Sequence, residues 1–399
     1  SPMRSFSRAG LGAVTAVTMA SATFPIIVAS VLAAQLIDEF EISRAQVGFL
    51  VTAAGLVGAL SSPLFGHLTD RLGAVRSVTA TLAAGVFTFT AFALSPAYWV
   101  LVAAAVVAGL PNGWGNPSTN ALIVDNTTPG SRGILTGIKQ SGVQFGTFLG
   151  GMLLPLFSGW WSWRVAVLMF LVMPVGGLIV IVRHRDPNTH EQTVVERAGG
   201  RLPSSVTWIA IYGFISGLAT QSIFVFVPLF ANEKLGWTVA AAGTLLSIVG
   251  ITGIAARLFW PRIAERSLGH GRTLRILAWL TTATAVLLWL ANADLVPAWV
   301  LIPAVMFLGG GAVAWNAVGM LAVMDFAPQG LVGRGTGVVL FGFLLGLAIG
   351  PPLMGYSVDR LGTYGPGWLV VAVLLFVAAL IAFKIPSPER FAEPMGSHR

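Results

Sequence analysis

Charge is missing from most of this chain in long, contiguous runs. Uncharged, predominantly apolar stretches lie between Arg8 and Asp38, Arg44 and Asp70, Arg76 and Asp125, Arg164 and Arg183, Arg201 and Glu233, and Lys234 and Arg257. They continue between Arg275 and Asp294, Asp294 and Asp325, Arg334 and Asp359, and Arg360 and Lys384. A helix that spans a bilayer needs ~20 apolar residues. Water-soluble domains carry about a quarter charged residues, against 10% here. The stretch from Arg76 to Asp125 holds two helices with a break at Ser95-Pro96, and residues 133–158, interrupted only by Lys139, add one more. The pattern predicts an all-α polytopic membrane protein with twelve transmembrane helices. The runs are continuous rather than alternating, which argues against a strand barrel.

The placement of charge predicts the topology. Of 23 Lys and Arg residues, 17 fall at the termini and in one set of alternate loops. Arg44, Arg164, Lys234 and Arg360 fall on the opposite side, and Lys139 and Arg257 lie inside helices. The positive-inside rule then puts both termini in the cytoplasm of a multi-pass plasma (inner) membrane protein. The formal charge of +8 reflects this topology, and nucleic acid is not an expected partner. Cysteine is absent, which removes thiolate metal sites and cysteine nucleophiles. The five histidines sit in loops or at helix ends, and none is expected to pair with a carboxylate in a buried site. A phosphate-cradling Gly-rich loop with Lys and Ser/Thr is missing, so ATP is not the expected energy source. The chain reads as neither an enzyme nor a protein needing a cofactor or metal.

The one long polar stretch, 184–204, divides the sequence into a six-helix bundle at 1–183, a cytoplasmic linker at 184–204 and a second six-helix bundle at 205–399. The halves match at nearly fixed offsets, the signature of an internal repeat. At an offset of 200, Gly109, Asn116, Asp125, Gly133, Thr136, Gly137, Gly142, Gly146 and Gly150 meet residues of the same type, ending at Gly342, Gly346 and Gly350. At an offset of 195, Gly48, Gly55, Gly58 and Arg71 meet Gly243, Gly250, Gly253 and Arg266. Two pseudo-symmetric bundles of the same orientation follow. Gly142, Gly146 and Gly150 form one close-packing stripe, repeated by Gly342, Gly346 and Gly350, that serves either packing within a bundle or a sliding surface between halves.

The loop after the second helix reads GHLTDRLGAVR, in which Gly66, Leu68, Asp70, Arg71 and Gly73 fit the pattern Gly-x-Leu-x-Asp-Arg-x-Gly. With the repeat, this resembles the major facilitator superfamily (MFS) of secondary transporters over essentially the whole chain. A second copy keeps Glu265 and Arg266. Gly137, Gly146 and Gly150 fit the glycine spacing of the family's antiporter signature, with Gly151 at its proline position, whereas Gly337, Gly346, Gly350 and Pro351 match it better in the eleventh helix. Where the family's drug/proton antiporters place an arginine in the fourth helix, this chain aligns Gly109. The resemblance implies alternating access, helices five and eight facing each other across the bundles, and Asp70 reaching the start of the eleventh helix when the cytoplasmic side is closed. Gly66, Asp70, Arg71 and Gly73, with Gly142, Gly146, Gly150, Gly346 and Gly350, are the expected gating and conformational residues.

Ionisable groups at membrane depth are expensive and usually functional. All fifteen carboxylates fall at helix ends or in loops, whereas Lys139 and Arg257 lie inside the fifth and eighth helices. At 100° per residue, Lys139 sits within about 20° of Gly146 and Arg257 within about 20° of Gly250, so each cation is expected on its helix's glycine stripe; with helices five and eight facing each other, the resemblance implies that both look into the central cavity. Asn112, Asn116 and Asn120 form a line on the fourth helix near Trp114. Trp315-Asn316 is the related place on the tenth helix, and Tyr212 and Gln221 mark the seventh. Lys139, Arg257, Asn112, Asn116, Asn316, Tyr212, Gln221 and Trp315 are the expected substrate-binding residues. Together these features point to a monomeric carrier of a small anion, most readily a carboxylate, with a coupling proton or cation and membrane lipid as its other partners. Proton-coupled efflux of hydrophobic compounds is the alternative within transport, and a ligand-binding membrane receptor is the alternative outside it.

Overall fold

A computed structural model of the chain describes residues 6–127, 132–183, 201–328 and 331–387, with the side chains of Asp70, Arg132 and Val332 outside that description. The linker residues 184–200, both extreme termini and the 128–131 turn fall outside it as well. Among the described residues every regular element is helical. In chain order the spans are α1 (Arg8–Val31), α2 (Arg44–Leu72), α3 (Ala74–Ala93), α4 (Tyr98–Asp125), α5 (Arg132–Trp160) and α6 (Trp163–Val182). They are followed by α7 (Ser204–Glu233), α8 (Val239–Ile263), α9 (His270–Asn292), α10 (Ala298–Phe326), α11 (Val332–Leu361) and α12 (Gly365–Ile381). A short helix, Ala33–Phe40, extends α1 past Leu32.

These are the twelve spans the sequence predicts, with the third and fourth separated at Ser95-Pro96. Eleven are long and apolar enough to cross a membrane by length and composition alone. The twelfth, α5, spans 29 residues but carries Lys139, Gln140 and Gln144, which lower its mean hydropathy. Serine and threonine start several helices. Ser43 and Gln46 form a capping box at α2, and Ser162 and Thr238 accept from Val165 and Ala241 to open α6 and α8. Proline lies beyond the first turn in nine of the twelve spans, as at Pro25, Pro63 and Pro155, tolerated because neighbouring helices re-satisfy the freed carbonyls.

Packing follows the repeat. In the first bundle α1 packs along α5, α2 along α4, and α3 against α4 and α6; in the second α7 packs along α11, α8 against α10, and α9 along α12. The bundles meet chiefly along two seams, α2 with α11 and α5 with α8, which the pseudo-twofold exchanges, with α1 touching α7 between them. The contacts repeat residue by residue. A Cβ on Gly48 would come 2.6 Å from the Pro351 backbone, and the repeat mate of Gly48, Gly243, lies against Gly151, the mate of Pro351. Gly55 lies against Leu347, and its mate Gly250 would bring a Cβ 2.6 Å from the Gln144 carbonyl and the Phe148 N–H. At Gly48, Gly243 and Gly250 the opposing atoms include backbone, so no side chain fits there without a shift and the seams close because glycine is there.

The glycine stripes of the sequence do something else. Gly142, Gly146 and Gly150 lie on Ala16, Ala20 and Ile27 of α1, and Gly342, Gly346 and Gly350 on Ala210, Phe214 and Leu218 of α7. Both stripes pack inside their bundles, and the surface between halves belongs to the other glycine set. The stripe faces the neighbour that is closest in the bundle, and on α5 that is α1.

Candidate functional site

The two ends of the seams differ. At the end away from the 184–204 linker, hereafter the far end, Arg44 at the start of α2 meets Glu233 at the end of α7 through two bonds of 2.9 Å and Asp359 at the end of α11 at 3.3 Å. Asp359 also accepts from the backbone N–H groups of Arg44 and Ala45 at 3.1 and 2.9 Å, so a carboxylate of one bundle caps a helix of the other. The Tyr364 hydroxyl donates to Glu233 at 2.6 Å, and burial together with the Glu233 charge raises its pKa above that of an ordinary phenol. Thr52 hydrogen-bonds the Ala348 carbonyl, Ser247 the Phe148 carbonyl at 2.9 Å, and Ser30 the Phe224 carbonyl at 2.8 Å, all between bundles. On the linker halves of the same seam helices, Gly66, Gly137 and Gly337 have open space where a Cβ would stand. The molecule is closed at the far end and open toward the linker.

At the bottom of the closed half, the candidate site spans α4, α5 and α8. Lys139, 1% exposed, donates to Asn116 Oδ1 at 3.0 Å and Asn120 Oδ1 at 2.6 Å. Gln140 Nε2 donates to the same Asn116 oxygen at 3.2 Å. Asn116 and Asn120 are exposed although they sit in the middle and lower half of a membrane helix, which means they face the open side. Arg257 donates through Nη1 to the Gln140 carbonyl at 2.7 Å and through Nε to the Val313 carbonyl at 3.4 Å. Its Nη2 has no bond among the described residues, and neither cation pairs with a carboxylate there. Val313 follows a π-helical turn, Leu308–Ala312, that interrupts α10 and also offers the Gly310 carbonyl to Trp260 at 2.7 Å.

This arrangement corrects the expected face-to-face pair. Arg257 crosses the seam as its glycine stripe requires, because Gly250 and Gly253 face α5. Lys139 shares the Gly146 side of α5, and that side faces the interior of its own bundle, so its ammonium turns to the asparagines of α4. Two cations at membrane depth call for charge compensation by water, an anion or the loss of a proton. Amide and backbone oxygens supply much of it instead.

The other expected residues divide. Asn112 is half-buried over Gly58 of α2, and Asn316 and Gln221 are half-buried on α10 and α7. Tyr212 and Trp315, 1% and 2% exposed, are packed in the core of the second bundle, with ring centroids 5.8 Å apart, and the Tyr212 hydroxyl donates to the Leu274 carbonyl at 3.1 Å. They line no open space in this conformation, because the large rings fill the volume that the smaller side chains of α7 and α10 leave. Trp114 is also held within its bundle, donating to Thr69 at 3.0 Å and stacked on Phe65. Arg71 is exposed at the end of α2, and Gly73 closes that helix at φ 83°. The Asp70 side chain lies outside the described set.

Two features were missed by the reading of the sequence. The far-end cluster joins Arg44, Glu233, Asp359 and Tyr364 from four helices whose adjacency only the packed repeat reveals; the run Gly355-x-x-x-Asp359-Arg360-Leu361-Gly362, a variant of the 66–73 loop, was the available signal. His270, expected to pair with no carboxylate, is 4% exposed and lies 2.7 Å from Asp325 Oδ2. The start of α9 and the end of α10 meet at the linker end, although 55 residues separate the pair.

The comparisons with known proteins agree with this architecture. The profile of the Major Facilitator Superfamily matches residues 10–346. The chain is 24% identical to the class H tetracycline resistance protein of Pasteurella multocida, over 84% of this chain and 86% of that protein. It is 22% identical to the hexuronate transporter of Bacillus subtilis (strain 168), over 88% of each. The crystal structure of a D-xylose-proton symporter superposes with a TM-score of 0.78 at 16% identity, covering 95% of this chain and 98% of that one, a likeness of fold. The chain is a multi-pass membrane protein that belongs to the Major Facilitator Superfamily, whose members carry small molecules by alternating access.

Proposed function

We propose that this carrier moves a small organic anion, carboxylate in type, with the 184–204 linker and both termini in the cytoplasm of the inner membrane and the two bundles at 1–183 and 205–399 rocking about the substrate. The observation that carries the reading is Arg257. It is a permanent cation at membrane depth, placed on the seam the bundles must open, with Nη2 uncommitted and no carboxylate paired to it among the described residues. A guanidinium so placed suits a planar oxyanion, which it holds through parallel hydrogen bonds. Lys139, next in sequence to Gln140, adds a positive field from inside the first bundle, and Asn116, Asn120 and Gln140 offer neutral polar groups. The likeness to a hexuronate transporter is in keeping with an anionic substrate.

A second reading, efflux of hydrophobic drug-like compounds, is favoured by the likeness to a tetracycline resistance protein. A thermal-shift screen of the purified protein separates the two. Stabilisation by glucuronate or other carboxylates, lost in Arg257→Gln, is the expected result; stabilisation by tetraphenylphosphonium alone, a lipophilic cation, refutes the anion reading.

A further inference from the structure

Gln144 is 5% exposed, and its Oε1 has no hydrogen-bond partner among the described residues. An unpaired buried acceptor in a well-packed helix seam calls for an explanation. The oxygen stands on α5 one turn beyond Gln140, the residue whose carbonyl holds Arg257, about 6 Å along the axis at 1.5 Å per residue. It lies against Gly253 of α8, where a Cβ would come within 2.9 Å of it. Gly253 is one turn from Arg257, so the seam carries an unused acceptor above and unused guanidinium donors below. Alternating access parts this seam at the far end, and Gln144 is where the closed half begins.

We propose that Gln144 selects a hydroxyl group on the substrate, and that the transported class is hydroxylated carboxylates whose hydroxyl lies about one helical turn from the carboxylate. The inference rests on the anion reading above. The carboxylate meets Arg257, and the hydroxyl donates to Gln144 Oε1 as the seam opens. A carboxylate lacking that hydroxyl leaves the amide oxygen unpaired in both states and forgoes the gain. Gly253 keeps the amide in place, because any side chain there would displace it.

Matched pairs test this on the intact protein: 4-hydroxybenzoate against benzoate, and gluconate against hexanoate, with tetraphenylphosphonium as the cationic comparison. Equilibrium binding to the purified wild type should favour the hydroxylated member by about 10-fold or more. In Gln144→Leu that ratio should fall to near one while the affinity for benzoate or hexanoate holds or rises, a result that general damage to the fold would not give. Gly253→Ala should shrink the ratio in the same direction without touching the amide's chemistry. Equal affinity within both pairs in the wild type, or a preference that survives Gln144→Leu, overturns the role of Gln144 and leaves the anion reading standing. Binding of tetraphenylphosphonium with no binding of any carboxylate overturns both, as does failure of all four carboxylates to bind.

Discussion

Asp359 caps the helix that begins at Arg44. Its carboxylate accepts from the Arg44 and Ala45 backbone N–H groups and pairs with the Arg44 guanidinium, so one side chain at the end of α11 meets both the partial positive charge of the α2 N-terminus and a full cation. The α5–α8 seam has no such device, because the repeat mates of Asp359 and Arg44 are Gly159 and Val239. Far-end closure is therefore concentrated on one seam.

Asp359→Asn should weaken that closure while leaving the fold intact. Removing a charge from a partly buried helix N-terminus costs about 1–2 kcal/mol, roughly a 5- to 30-fold shift toward the far-end-open state. The chain contains no cysteine, so Ala348→Cys, buried on the seam, can report it. Its labelling by a soluble maleimide should rise several-fold in the Asp359→Asn background. Labelling that stays at the wild-type rate would contradict the latch.

Asp70→Asn should move the same reporter the opposite way. The resemblance places Asp70 at the start of α11 when the linker end closes, so its loss should favour the linker-open, far-end-closed conformation and lower Ala348→Cys labelling. An increase, or slow transport with no change in labelling, would assign Asp70 some other task.

The glycine contacts predict which substitutions jam the carrier and which merely loosen it. Gly250→Ala puts a methyl within 2.6 Å of the α5 backbone, and Gly48→Ala does the same on the α2–α11 seam. Both should hold the far end ajar and slow transport at least tenfold, with little loss of thermal stability in the separate bundles. Gly142→Ala, inside the first bundle against Ala16, should instead lower stability by about 1–3 kcal/mol, as overpacking does. Gly137→Ala, with open space around it, should be close to neutral. Thermal melts and uptake on the four variants check the separation, and a stability loss at Gly250 larger than at Gly142 would reverse it.

Lys139 and Arg257 should respond differently to neutralisation. Lys139→Met removes the two charge-assisted hydrogen bonds to Asn116 and Asn120, so a stability loss of about 1–3 kcal/mol is expected alongside weaker anion binding. Arg257→Gln frees two backbone carbonyls and should remove most anion binding, and Arg257→Lys should restore little of it because a point charge cannot reproduce the two-bond fork. Binding isotherms beside melting curves distinguish the two residues; equal binding losses with equal stability losses would mean that both are structural.

The sequence carried the architecture because transmembrane helices are written in continuous apolar runs and because the repeat is explicit at offsets of 195 and 200. It located Arg257 on the seam by the same helical arithmetic that misdirected Lys139. Both lie on glycine stripes, but a stripe does not say which neighbour it faces: Gly250 faces the opposite bundle, Gly146 its own. Gln140 and Gln144 went unread because they are neutral; they sit one and five positions beyond the lysine, about 100° and 140° round the helix, which carries them to the seam. His270 and Asp325, like Arg44 and Asp359, come together from the ends of helices distant in the chain, and the spacing of residues along a chain holds no record of that contact.

Binding of the transported anion should depend on Arg257. The most direct test is counterflow: proteoliposomes loaded with an unlabelled carboxylate from the thermal-shift screen are diluted into the same compound in radiolabelled form, with wild type and Arg257→Gln compared side by side. The wild type should show a transient accumulation of label that falls at least tenfold in Arg257→Gln, while the variant melts as a folded protein. Label taken up at the wild-type rate and half-saturation by Arg257→Gln would contradict that dependence.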